Sequence, residues 1–142
     1  ICLGEHRHIM YDVKSELYGR DRAKFKWELD QALQGLSSKH VAIIHNIEQI
    51  PGHAAMTFHA YCDNENAPHK RAILLLTLEL SRSYEDISED VLDVTIDDQL
   101  MKMWSKDLRE TDVAAIISRM ANSPILVKPE SEAKVNRLCP KV

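Results

Sequence analysis

Phe25, Leu29, Ala32, Leu33 and Leu36 recur at the three- and four-residue spacing of one helical face, which predicts a helix over residues 21 to 35 with Gly35 as its stop. The β-branched run VAIIHNI, residues 41 to 47, lies between a Ser-Ser-Lys lead and the Pro51-Gly52 turn and reads as a buried strand. In AMTFHAYC, residues 55 to 62, Met56, Phe58 and Ala60 alternate with Thr57, His59 and Tyr61, the period of a further strand. The stretch DNENAP after it is rich in cap residues, and with Pro68 near the first turn it predicts a helix through ILLLTLEL. A leucine run also suits a strand; the start signals and the length favour the helix. Ser88-Glu89-Asp90 opens another helix ending near residues 104 to 106, acidic first and basic last, as the backbone dipole prefers. Val113, Ile116, Ile117 and Met120 form the core stripe of a last helix, about residues 112 to 122, which leads into a strand, ILVKP, at 125 to 129. A short strand, ICLG, is expected at residues 1 to 4.

Strands alternating with helices predict a single α/β domain over residues 1 to 142, with a mainly parallel sheet flanked by helices and partners approaching the sheet's carboxyl edge. No repeat and no Gly/Ser-rich linker divides the chain. With 142 residues, 44% of them hydrophobic and 28% charged, it can bury a working core. The net charge of −4 lacks the basic footprint that nucleic acid or an anionic membrane requires, so neither is expected as a partner. The longest apolar run, residues 72 to 80, contains Thr77 and Glu79 and is too short to span a bilayer. Opening on ICLG without an initiator Met, the sequence reads as a segment of a longer protein, with any membrane anchor or targeting signal expected upstream.

Folds of this class often bind nucleotides through a glycine-rich phosphate cradle. Here the glycines at 4, 19, 35 and 52 are isolated, and neither GxxxxGK[ST] nor GxGxxG occurs. At the end of the strand VAIIHNIE, where a nucleotide hydrolase needs an acidic pair for Mg²⁺ and water, stand His45 and Asn46. Seven histidines and three cysteines invite a metal reading, but without CxxC or HExxH they fit packing or surface roles better. Nothing around Cys62 marks an activated thiol nucleophile. Two readings of the cysteines at 2, 62 and 139 stay open: three unreactive thiols, or an oxidised Cys62–Cys139 pair closing a loop worth about 4.5 kcal/mol in the chain-entropy model.

Arg119 falls about 120° from the core stripe of the last helix and faces outward beside Asp112 and Ala115, whose small side chain lets another surface approach. One reading is that it offsets the helix dipole in the last turn. The other is an arginine finger, a planar guanidinium presented to a nucleotide held by a different subunit.

The stretch VAIIHNIEQIPGHAAMTFHAYCDNENAPHKRAILLLTLEL, with its signature Cys62, Asp63, Asn64, Glu65, Asn66 and Ala67, resembles the torsin-activating luminal domains, the family of lamina-associated polypeptide 1 and its luminal-domain-like relative. ISRMANSPILVKPE is similar to the family's end segment, here Ser118, Arg119, Pro129 and then Cys139 near the terminus. The two segments span most of residues 40 to 139, and residues 1 to 39 carry no part of the likeness. The resemblance implies a degenerate AAA+-like domain that binds no nucleotide and activates a torsin ATPase, which would hold the ATP and Mg²⁺, so that this chain needs no cofactor and no metal of its own. It further implies Arg119 as a finger in trans, a Cys62–Cys139 disulfide, and a place in the lumen of the nuclear envelope or endoplasmic reticulum. Ala115 and Ser118 beside Arg119, and Tyr61, Asn64 and Glu65 beside Cys62, are then the expected partner-facing residues, although caps for a following helix account equally for Asn64 and Asn66. The alternative is a structural binding module of the same fold; an enzyme working through Cys62 or a histidine-bound metal is a third reading.

Overall fold

A run such as VAIIH is stiff at χ1 and packs well on a pleated surface. In the computed structural model, which describes residues 8–13 and 22–138, it forms the central strand of a three-stranded parallel sheet. The order is β1 (Ile9–Asp12), β2 (Val41–His45) and β3 (Ile73–Leu76). Ile9, Ala42 and Leu74 lie level across the sheet, as do Tyr11, Ile44 and Leu76 two residues on. These two rows face the helices, and Ala42 and Ile44 are fully buried. The intervening row, Met10, Ile43 and Leu75, lies on the opposite face, where Met10 is 59% exposed.

The helical layer consists of α1 (Arg22–Gln34), the single turn α2 (Leu36–Lys39), α3 (Gly52–Tyr61), α4 (Glu89–Trp104) and α5 (Glu110–Met120), and α6 (Glu132–Leu138) follows near the carboxyl end. Phe25, Leu29 and Leu33 of α1, Phe58 of α3, Leu100 and Trp104 of α4, and Val113, Ile116 and Ile117 of α5 share one core with Ala42 and Ile44. The start of α3 is clamped to the end of α4. The Trp104 indole N–H donates to the Ile50 carbonyl at 2.9 Å, and a Cβ on Gly52 would stand 2.7 Å from the Trp104 carbonyl oxygen. Only glycine allows the two main chains to approach this closely. No helix among the described residues is long and apolar enough to cross a membrane.

The expected α/β class, the helices near 21 to 35, 88 to 105 and 112 to 122, and the strand from residue 41 are present. Three elements differ. Residues 55 to 62 are helical: Pro51 is the extended N-cap of α3, and Ala54, Ala55 and Phe58 are buried at helical spacing, a pattern that coexists in the sequence with the two-residue alternation. The leucine run is the strand β3, because β2 needs a partner on each side for its backbone groups, and that pairing outweighs the helix preference of leucine. Pairing continues past β3 through Thr77 N–H to Ile44 O and Ile47 N–H to Thr77 O, both 3.0 Å. The segment 125 to 129 joins no ladder among the described residues, and Ile125 and Val127 are 84% and 83% exposed. β1 and α6 were not anticipated. The strand expected at 1 to 4 lies outside the described residues.

Candidate partner interface

Packing of α3 against α5 brings together two stretches that are more than fifty positions apart in sequence. The turn after α3, residues 62 to 67, is organised by Asp63. Its Oδ1 accepts the backbone N–H groups of Glu65 at 2.9 Å and Asn66 at 2.6 Å, and its carbonyl accepts that of Ala67 at 2.9 Å. This is a turn in which an aspartate side chain stands in for a backbone acceptor. The Lys70 ammonium ties it from outside, donating to the carbonyls of Asn64 at 3.2 Å and Glu65. The cap-like residues Asn64 and Asn66 therefore serve a turn, and the helix expected after them is replaced by β3.

The second Asp63 oxygen, Oδ2, lies 3.8 Å from Nε of Arg119 in the last turn of α5. Arg119 Nη1 donates to the Ala115 carbonyl at 2.8 Å, which also accepts from Ser118 Oγ at 3.1 Å. The guanidinium is thus held on two edges by its own domain with its side chain 33% exposed, and among the described residues Nη2 makes no hydrogen bond. The Asn66 N–H foremost, then that of Glu65 and the Arg119 charge, keep the Asp63 carboxyl below the usual carboxylate range.

Of the other expected residues, Asn64, Glu65 and Ser118 are exposed and Ala115 is half-buried. Tyr61 is half-buried and turned towards α1, its hydroxyl donating to Asp30 Oδ1 at 3.1 Å; burial, and then the Asp30 charge and hydrogen bond, push its pKa up to about 12. The Cys62 thiol is half-buried, and burial raises its pKa to about 11, so it is protonated at neutral pH and a poor nucleophile. Cys139 lies outside the described residues. Asp63 stood in the resemblance signature but not among the expected partner-facing residues, and Lys70 and Asp30 were not singled out. For Asp63 there was a usable signal, an aspartate two and three positions before free backbone N–H groups in a Pro-terminated polar run.

At the carboxyl edge of β2, Asn46 adopts a left-handed conformation (φ 59°) and its side-chain amide donates to Asp12 Oδ1 at 2.9 Å. His45 Nδ1 lies 3.2 Å from Thr77 Oγ1. The place of an acidic pair is therefore occupied by groups that bond to neighbouring strands. A groove of about 270 Å³ between α4 and α5 is lined by Asp93, Asp97, Met101, Ala114, Ile117 and Ser118, and burial followed by the charges of Asp93 and Asp98 raises the Asp97 pKa. Such an acidic lining repels a triphosphate. Among the described residues no three His, Cys, Asp or Glu side chains converge as a metal site.

The chain is 26% identical to Torsin-1A-interacting protein 1 of Bos taurus over 127 residues, 81% of this chain and 21% of that protein. It is 28% identical to the Rattus norvegicus protein of the same name over 131 residues (81% and 22%), and 34% identical to that of Mus musculus over 83 residues (52% and 14%). It thus spans about a fifth of the length of its bovine and rat relatives. A family model described as lamina-associated polypeptide 1, AAA+ activator domain, matches residues 9–125. That span takes in β1 and α1, which carried no part of the sequence likeness, as well as the 62–67 turn and Arg119. With the model covering most of its length and its sheet-and-helix architecture in agreement, this chain belongs to the lamina-associated polypeptide 1 AAA+ activator domain family.

Proposed function

We propose that this domain activates a torsin AAA+ ATPase by docking beside the nucleotide-loaded subunit and supplying Arg119 as an arginine finger in trans. Membership of an AAA+ activator family and relatives named for their interaction with Torsin-1A support the choice of partner. The observation that carries the finger is a guanidinium one-third exposed in the last turn of α5, held on two edges and retaining Nη2. At a transferring phosphoryl group the fork would stabilise charge on the equatorial oxygens, an effect worth about 10³ to 10⁵ in rate when it arrives from a partner. ATP and Mg²⁺ belong to the partner in this scheme, and the chain itself is a cofactor protein rather than an ATPase. Asn64, Glu65, Ala115 and Ser118 would line the contact with Tyr61 behind them. Cys62 would pair with Cys139 in the oxidising lumen of the nuclear envelope or endoplasmic reticulum, and any membrane anchor would lie outside this segment.

Binding and hydrolysis measured separately for Arg119→Ala and Arg119→Lys test this reading. Both variants should bind torsin and lose the stimulation, because a compact ammonium does not replace the planar fork. Full stimulation by Arg119→Ala overturns it. The two inward contacts of Arg119 favour the second reading, a binding module in which Arg119 only supports the interface; in that case affinity falls and the turnover of the bound complex does not.

A further inference from the structure

A mobile arginine must be ordered before it can stabilise a transition state, and ordering a side chain this rich in rotamers costs conformational entropy. In this domain part of that ordering is done before any partner arrives. Asp63 Oδ1 is fixed by two backbone N–H groups, the turn carrying them is tied by Lys70, and the remaining carboxylate oxygen lies 3.8 Å from Arg119 Nε. The Ala115 carbonyl takes Nη1. With Nη1 bonded and Nε beside the carboxylate, rotation about the terminal bonds would sacrifice one contact or the other, while Nη2 makes no hydrogen bond among the described residues.

We infer that Asp63 is a positioning residue for Arg119: the 62–67 turn exists to aim the guanidinium, so the two motifs act as one device. This rests on the finger reading above and deepens it. The cost of the arrangement is a negative charge close to a group whose positive charge is to be used. The 3.8 Å separation, longer than a direct hydrogen bond, leaves that charge partly uncompensated while still restraining the fork.

Asp63→Asn is the informative variant, since an amide oxygen can still accept from Glu65 and Asn66 while the charge opposite Arg119 is gone. The expected result is stimulated turnover about ten- to a hundredfold lower, with the half-saturating concentration of the domain unchanged. In the free domain the Nε–H resonance of Arg119 in a ¹H–¹⁵N spectrum should shift and exchange faster with water, which reads the restraint without reference to activity and stays informative if the variant is less stable. Wild-type turnover and an unmoved Arg119 resonance, with Arg119→Ala inactive, would overturn the positioning role and leave the finger standing. A fall in affinity at unchanged turnover makes Asp63 an ordinary interface residue and also overturns the inference. Should Arg119→Ala stimulate fully, both fall together.

Discussion

Asp12 and Asn46 meet across the carboxyl edge of neighbouring parallel strands, the amide nitrogen of one 2.9 Å from the carboxylate oxygen of the other. The position that would carry metal-binding acid in a nucleotide hydrolase is thus used to join β1 to the end of β2.

Reinstating the acid should therefore harm the fold without creating an ATPase. Asn46→Asp places two carboxylates where a donor and an acceptor now stand, a repulsion of about 1 kcal/mol or more. Urea unfolding at pH 7 checks this, and an unchanged midpoint for the variant would refute it. Asn46→Val should also destabilise, since φ 59° is poorly tolerated by a β-branched residue.

The clamp between α3 and α4 makes a second prediction. Trp104→Phe strands the Ile50 carbonyl and should cost about 1 to 3 kcal/mol. Gly52→Ala drives a methyl group into the Trp104 carbonyl and should cost a similar amount, about 1 to 3 kcal/mol. Because both act on one contact, the double variant should lose less than the sum of the two. Chemical denaturation of the three proteins measures this, and strict additivity would contradict a shared contact.

Alkaline pH should weaken the domain through Tyr61. Its folded pKa is raised from 10.0 to about 12, so its contribution is fully present below pH 10 and disappears as the pH rises through 12. Asp30→Ala removes the acceptor and the neighbouring charge and should return the tyrosinate transition part of the way towards 10.0. Titration followed by absorbance near the tyrosinate band tests this; no movement would leave burial as the whole cause.

Under reducing conditions Cys62 should react slowly with alkylating reagents at pH 8, because burial pushes its thiol from 9.0 to about 11. Under oxidising conditions peptide mapping should recover Cys62 linked to Cys139, and reduction should cost up to about 4.5 kcal/mol of stability in the loop-entropy model. Both cysteines recovered free after oxidation would remove the bond.

Much of the helical layer was legible because α1 combines apolar spacing with the Gly35 stop, α4 begins on an acidic cap-rich run, and α5 carries a clear apolar stripe. The sheet was harder to read. Ala54, Ala55 and Phe58 satisfy a helical face while Met56, Phe58 and Ala60 satisfy a strand, and only the packing of α3 on α1 and α5 decides between them. Ile73 to Leu76 are poor evidence for either state until β2 is seen to need a second partner. For the candidate site, the sequence likeness singled out Arg119 and the 62–67 run separately. Their meeting through Asp63 depends on how α3 and α5 cross, which no local pattern encodes.

With its first turn pinned to the main chain at the end of α4 and its last turn running into the Asp63 loop, α3 behaves as a beam fixed at one end. A push from a docking surface against residues 62 to 67 cannot be absorbed by sliding the helix lengthwise, so it is spent on the loop and on the arginine resting against it.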